Sequence, residues 1–196
     1  MKKAILVLAV LILGASQARA QDSYPSVEVF GGYSYLSTDV SIDDPFDDDG
    51  DDFFDDREGF HGAGFSVAGN VSGGVGIVAD FSYHKREIEL PGGDIDISNL
   101  LFLFGPRFTA RGDRVDVFGH VLIGGVRSKV EDLDSDVNLA LGFGGGLDIK
   151  ASDSFAVRLF QIDYIPVRFE NPITEDDEWS HNLRFQIGVT YRWGGQ

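Results

Sequence analysis

The sequence predicts an all-β fold: an eight-stranded antiparallel up-and-down transmembrane β-barrel, preceded by a cleaved signal peptide. Two patterns support this fold class. Apolar and polar side chains alternate along most of the chain, and short and long connections follow one another between the alternating segments. Alternation with period two indicates β-strands, because successive side chains point to opposite faces of the pleat. Connections that are short and long in turn are typical of membrane barrels with an even number of strands.

The first 20 residues have the organisation of a secretory signal peptide. Lys2 and Lys3 precede an apolar run over 4–13, and Ala18-Arg19-Ala20 offers small residues for cleavage. The apolar run is too short to cross a bilayer as a helix. We therefore expect a signal peptide over 1–20 and a single barrel domain over 21–196.

The clearest strand is the last one, where every second residue from Leu183 to Trp193 is apolar. The same alternation predicts strands at 26–37, 59–69, 74–86, 95–109, 114–127, 136–150, 154–169 and 181–193. Short turns are expected at 69–73, 110–113 and 151–153, and longer connections at 38–58, 87–94, 128–135 and 170–180. The short turns then lie at one end of the barrel and the long connections at the other.

The bulky apolar face of each strand is expected to contact lipid, and the polar face to line the interior. The polar face is rich in glycine and isolated charges, unlike the mixture of Lys, Glu and Thr that covers a solvated surface. Aromatic residues gather near the strand ends, as membrane interfaces favour; they are Tyr33, Tyr35, Tyr83, Tyr164, Trp179, Tyr191 and Trp193. A soluble lipocalin-like binder, with the opposite orientation, is the less favoured alternative.

An eight-stranded barrel has an interior just wide enough for its own side chains. Charges enclosed there need partners, because an isolated buried ion costs several kcal/mol. We therefore predict a polar plug held by a network of ion pairs and hydrogen bonds. Its predicted members are Glu28, Asp80, Arg107, His120, Asp148, Arg158, Asp163 and Arg184.

Three finer expectations concern this interior. Closure of the last strand onto the first should bring Arg184 or Arg192 within reach of Glu28. Water at the barrel ends is the expected environment of Arg192 and His84. The inward glycines are expected to leave room for long arginines such as Arg158; they are Gly142, Gly144 and Gly146.

The seventh strand interrupts the alternation. With Phe155 and Val157 facing outward, an unbroken ladder would place Asp163 in lipid. A charge at the bilayer midplane costs a few kcal/mol. We predict a β-bulge near Phe160–Gln161 that returns Asp163 to the interior.

Composition limits the partners and the chemistry. Lys and Arg number 16 against 32 Asp and Glu, a net charge of −16. This charge argues against nucleic acid and against docking onto anionic head groups by charge alone. The sequence has no Cys, so neither disulfides nor thiolate metal sites are expected. No cofactor is expected.

The first long connection is the one segment that suggests a ligand, since it carries nine aspartates between positions 43 and 56. Hard cations prefer oxygen ligands, which makes Asp47, Asp49, Asp51 and Asp56 candidate ligands of a divalent ion. Against this, Pro45 stands where an EF-hand loop would begin. A solvated, self-repelling loop is the alternative.

No catalytic residue is predicted. The histidines are His61, His84, His120 and His181, and no two of them have the spacing of a metal motif. A few barrels of this size modify lipid with Ser and His chemistry. The only local support for it is that His84 follows Ser82 closely and His181 follows Ser180.

Several segments resemble the eight-stranded barrel domain of OmpA/OmpX-like outer-membrane proteins, and the resemblance covers essentially all of the chain after residue 20. The segments are 29–35, 104–108, 119–125, 144–148 and 158–164. They specify architecture rather than chemistry. The resemblance implies a monomer in the outer membrane of a Gram-negative-type cell, with acidic loops outside and both termini in the periplasm.

The resemblance also implies partners and a role. The partners are outer-membrane lipid, lipopolysaccharide and, during insertion, the barrel-assembly machinery. The implied role is non-enzymatic, either structural or in surface interaction, such as membrane integrity or adhesion. A narrow porin-like diffusion channel is the alternative. In two respects the chain departs from relatives: no peptidoglycan-binding domain is expected after the last strand, and Gly194-Gly195-Gln196 follow the aromatic residue that the assembly machinery reads.

Overall fold

The computed structural model describes residues 24–38, 57–88, 95–130, 137–170 and 177–195. They form a closed barrel in which each strand pairs with its neighbours in sequence order and the last pairs with the first. The strands are β1 (Pro25–Thr38), β2 (Glu58–Ser72), β3 (Val75–Ile88), β4 (Ile95–Arg111), β5 (Val115–Val130), β6 (Val137–Lys150), β7 (Phe155–Glu170) and β8 (Asp177–Gly195). All pairs are antiparallel, which confirms the predicted fold class. Within the described ranges, no helix has the length and apolar character to cross a membrane.

The barrel has two different ends. The turn end carries the short connections at 73–74, 112–114 and 151–154, and the loop end carries the long ones. The predicted turn over 69–73 was wrong, because β2 continues to Ser72 and its pairing with β3 shifts between Asn70 and Ser72. The Asn70 amide donates a hydrogen bond to the Pro25 carbonyl at 2.8 Å, which ties this segment to β1.

The outer surface of the barrel is apolar. Side chains of every strand contribute to it, and Phe104 is 58 % exposed and Ile77 61 %. Aromatic pairs lie near both ends: the rings of Phe155 and Tyr191 are 5.0 Å apart at the turn end, and Tyr164 stacks on His181 toward the loop end. A barrel that buries charges and exposes phenylalanines is adapted to lipid rather than to water.

The predicted bulge in β7 is confirmed. Leu159 and Phe160 both point outward, and the pairing of β7 shifts on both sides at this point. On β6, Asp148 pairs with Arg158 and Leu147 with Phe160, so Leu159 is the additional residue. As a result Asp163 is fully buried inside the barrel instead of facing lipid.

The interior also contains an apolar cluster that sequence analysis did not predict. Most of its side chains are on strand segments near the loop end; its members are Leu36, Phe60, Ala68, Val78, Leu101, Leu103, Leu122, Val126, Ala140, Ile165 and Val167. The predicted polar plug therefore occupies only part of the interior. Alternation of apolar and polar residues shows which face of a strand is inward only when that face is polar. Where both faces are apolar, the sequence does not distinguish inward from outward residues.

Candidate functional site

The centre of the barrel interior is organised by Arg184 on β8, whose side chain is fully buried. Its Nη1 donates to Asp80 Oδ1 at 2.6 Å and to the Ser82 hydroxyl at 2.8 Å. Its Nε and Nη2 donate to Asp163 Oδ2 at 3.0 and 2.7 Å. The other Asp163 oxygen lies 2.7 Å from His120 Nε2. We call Asp80, His120, Asp163 and Arg184 the central cluster. It joins β3, β5, β7 and β8 across the barrel.

A second group of ions, the turn-end cluster, lies nearer the short turns. Its carboxylates are Glu28, Asp116 and Asp148, and its arginines are Arg107, Arg111, Arg158 and Arg192. Glu28 is within 3.0 Å of Arg107 and 2.8 Å of Arg111. Asp116 is 3.0 Å from Arg192 and Asp148 is 2.9 Å from Arg158. Charges from β1, β4, β5, β6, β7 and β8 therefore meet in this cluster.

The two clusters are linked by Arg158 and Gln161. Arg158 Nη1 donates to the Gln161 side-chain oxygen at 2.7 Å, and the Gln161 amide donates to Asp163 at 2.8 Å. The Arg158 guanidinium also lies between two rings, 4.2 Å from the centre of Phe30 and 4.4 Å from that of Phe118. Stacking of this kind suits a desolvated arginine.

The inward glycines Gly144 and Gly146 make room for side chains other than the expected Arg158. A Cβ atom on Gly144 would meet Asp163 Oδ1, and one on Gly146 would meet the Phe160 carbonyl and the Phe118 ring. The expectation that they accommodate Arg158 was therefore wrong for these two positions. Gly144 leaves room for the Asp163 carboxylate, and Gly146 for the Phe118 ring, on which Arg158 stacks.

The structure brings all eight residues of the predicted network into the interior, each at most 6 % exposed. Seven of them form ion pairs that cross between strands, and the eighth, His120, is hydrogen-bonded to Asp163. At the closure of the barrel, Glu28 is opposite Arg192 in register, with 3.9 Å between Glu28 Oε1 and Arg192 Nε. Arg184 contacts the central cluster instead.

Sequence analysis missed several polar residues of the interior. Arg192 and His84, expected in water at the barrel ends, are 4 % and 0 % exposed. Arg111 was assigned to a turn, but β4 includes it and its Nη1 reaches Glu28. Asp116 lies between the outward Val115 and Val117, so the alternation alone could have identified it as inward.

The histidines do not pair with the neighbouring serines. His84 Nε2 is 2.8 Å from the hydroxyl of Ser34 on β1, whereas Ser82 accepts a hydrogen bond from Arg184. His181 Nδ1 is 2.5 Å from the Tyr164 hydroxyl. No group of side chains within the described strands and turns has the composition of a metal site. The candidate calcium ligands Asp47, Asp49, Asp51 and Asp56 lie outside the described residues.

A closed sheet, an apolar outer surface and enclosed ion pairs together define a membrane-spanning β-barrel, the class in which every backbone group is paired between strands. The sequence matches the family described as "Outer membrane protein beta-barrel domain" over residues 5–193. The chain belongs to this family of outer-membrane barrels, as the resemblance to OmpA/OmpX-like proteins predicted. Among curated proteins, none matches the sequence.

Several solved structures share the fold. Ail, the attachment invasion locus protein of Yersinia pestis, is 16% identical over 87% of this chain and 99% of its own, with a TM-score of 0.55. Neisserial surface protein A is 10% identical over 86% and 97%, with a TM-score of 0.59. OprG from Pseudomonas aeruginosa is 13% identical over 88% and 97%, with a TM-score of 0.53. At such identities the likeness shows the fold alone. Ail has also been solved in complex with the heparin analogue sucrose octasulfate.

Proposed function

We propose that this protein is a non-conducting outer-membrane barrel with a structural or surface-interaction role. The observation that carries the proposal is the filled interior. Arg184 and both of its carboxylate partners are at most 2 % exposed, and the apolar cluster fills much of the interior toward the loop end. An ion crossing the barrel would have to separate buried ion pairs and enter an apolar region, both of which are costly.

Conductance across a planar bilayer tests this proposal. The protein, refolded without its first 20 residues, is expected to give no stable current steps in molar potassium chloride, while a general porin reconstituted in the same way does. Stable steps whose size changes in the Arg107→Ser variant would show that current passes through the interior. That result would favour the narrow diffusion channel instead.

We further infer that the loop end faces the outside of the cell and the turn end faces the periplasm. Long outer loops and short periplasmic turns are the rule for this class of barrel. An epitope inserted between positions 48 and 49 is then expected to bind antibody on intact cells. The same epitope inserted at Gly112 is expected to bind antibody only after the outer membrane is permeabilised. The reverse labelling would invert the proposed orientation.

The acidic first loop is the proposed contact surface. Its aspartates, including Asp47, Asp49, Asp51 and Asp56, would hold Ca²⁺ or Mg²⁺ and so bridge the protein to lipopolysaccharide phosphates. Its negative charge makes a polyanion of the kind found with Ail an unfavourable direct ligand. Millimolar Ca²⁺ should raise the melting temperature of the wild type but not of the variant with these four aspartates changed to asparagine. If Ca²⁺ changes the melting temperature of the wild type no more than that of the variant, these aspartates do not bind the ion and it is removed from the proposal.

We also propose that the chain is not an enzyme. The pair of Ser34 and His84 is the nearest approach to a nucleophile and base among the residues that the structure describes. Both side chains are fully buried, so no lipid substrate reaches them. A Ser34→Ala variant is expected to leave the cell's lipid profile, measured by mass spectrometry, identical to that given by the wild type. A modified lipid that disappears in this variant would contradict the proposal.

A further inference from the structure

The turn-end cluster contains more positive than negative charge. Four arginines belong to it, and Lys150, whose side chain is 31 % exposed, adds a fifth base at its edge, 3.3 Å from Asp116. Against these bases the cluster has the three carboxylates of Glu28, Asp116 and Asp148. Each carboxylate is therefore shared: Asp116 alone has Arg111, Lys150 and Arg192 within 3.5 Å. Excess charge of one sign is costly in a buried site.

The unpartnered polar atoms of this cluster are almost all donors. Within the described part of the chain, five of its guanidinium nitrogens find no hydrogen-bond acceptor; they are Arg107 Nε, Arg107 Nη2, Arg111 Nη2, Arg192 Nε and Arg192 Nη2. The one carboxylate oxygen in the same condition, Glu28 Oε2, lies 3.0 Å from Arg107 Nη1. Water could accept hydrogen bonds from these donors, but only an anion would also offset the excess positive charge of the cluster.

Two of these donors converge. Arg107 Nη2 is 3.8 Å and Arg192 Nη2 is 3.6 Å from the same oxygen, Asp148 Oδ2. Arg158 already binds both oxygens of Asp148, at 2.9 and 3.2 Å, and so offsets its charge. Arg107 and Arg192 are only 2 % and 4 % exposed, so water does not satisfy them from outside the barrel.

We propose that the barrel interior binds a small inorganic anion, of the size of chloride or bromide, between Arg107 and Arg192. Entry is from the turn end, where Arg111 and Lys150 are the partly exposed bases. The site adds a ligand-binding property to the barrel and does not depend on the surface role proposed above.

Anion exchange at constant ionic strength tests the site. The barrel is folded in zwitterionic detergent in sodium gluconate, an anion too large for the site, and the gluconate is replaced stepwise by chloride. The melting temperature followed by circular dichroism is expected to rise and saturate. Crystals grown in bromide should show an anomalous peak between Arg107 and Arg192. Equal melting in both salts, or a bromide crystal with water alone at this position, would overturn the proposal.

Variants separate specific binding from general salt effects. Arg192→Lys keeps the charge but removes Nη2, and is expected to lose the chloride-dependent rise. Lys150→Gln lowers the positive excess and should raise the chloride concentration at half-saturation several-fold. Arg114→Gln is the matched control, because the Arg114 side chain is exposed at the same end and only its backbone carbonyl, which the substitution keeps, bonds to Lys150 within the described strands. If Arg192→Lys does not fold, equal responses of Lys150→Gln and Arg114→Gln would still refute the site.

Discussion

Arg184 shows how much of the interior depends on one side chain. Its guanidinium holds Asp80 and Asp163, two carboxylates that would otherwise be buried side by side, with His120 and Gln161 as their further partners among the described residues. Removing one partner of a buried ion pair leaves an uncompensated charge, whereas replacing the whole group by apolar residues can be neutral.

Arg184→Met is therefore expected to lower the free energy of unfolding by about 3–5 kcal/mol, as measured for broken buried ion pairs. Urea titration in detergent micelles, followed by circular dichroism, measures this change. The double variant Asp80→Asn, Arg184→Met should recover part of the loss, because it removes one of the stranded carboxylates. A single variant as stable as the wild type would show that the central cluster contributes little.

Gly144 offers a second test at this scale, since its missing side chain leaves the space that Asp163 occupies. Gly144→Ala would place a methyl group against Asp163 Oδ1 and the Ile162 carbonyl. Overpacking of this kind costs about 1–3 kcal/mol. Gly69→Ala is the matched control, because a Cβ there meets nothing within 4 Å. Urea titration should separate the two variants, and equal stabilities would contradict the packing described for Gly144.

At this scale, the sequence predicts which charges face inward but not which of them meet. Alternation places Asp148 and Arg158 inside, and both are buried. The partner of each charge depends on the register and tilt of strands that are distant in sequence, so the contact of Arg184 with Asp80, 104 positions apart, was not predicted. For the same reason, the sequence did not decide whether Arg184 or Arg192 is the partner of Glu28.

Among the strands, β7 carries the clearest local signal. Two outward residues in succession, Leu159 and Phe160, allow both halves of the strand to keep their polar side chains inside. The bulge could be predicted because the cost of placing Asp163 in lipid exceeds the cost of one unpaired residue. The turn after β2 could not be predicted in the same way, because four of the five residues from Gly69 to Gly73 are small or polar and are compatible with either turn or strand.

Deletion of one residue from β7 tests this account. Without Leu159, the strand becomes regular while Gln161 and Asp163 still face inward, so the variant should fold. Deletion of Ile162, the matched control, reverses every side chain from Asp163 onward and should prevent folding. The shift in gel mobility between heated and unheated samples reports the folded fraction. If both deletions abolish this shift, the bulge has a role beyond correcting the alternation.

The molecule as a whole is inverted relative to a soluble protein. Bulky side chains lie outside and ion pairs inside, and this inversion was readable from the sequence because the inward face consists of glycine and isolated charges. The apolar cluster near the loop end could not be predicted from the sequence. In β4, Leu101 and Leu103 face inward while the alternating Phe102 and Phe104 face outward, so both faces of this run are apolar.

Tryptophan quenching tests the lipid-facing surface. Trp179 and Trp193 are 45 % and 49 % exposed near opposite ends of β8. In bilayers of lipids brominated along the acyl chain, the fluorescence of the Trp179→Phe and Trp193→Phe variants should fall when the protein is folded and recover in urea. A folded monomer that keeps full fluorescence in these bilayers, or that stays soluble without detergent, would contradict the orientation.

The pairing of β1 with β8 has a consequence for how the protein assembles. Glu28 lies on β1 and Arg192 on β8, so the two charges come into contact when these strands pair and close the barrel. A barrel joined one residue out of step would turn one partner toward acyl chains and strand the other. We expect the pairing of Glu28 with Arg192 to destabilise a closure shifted by one residue, and so to help select the observed register.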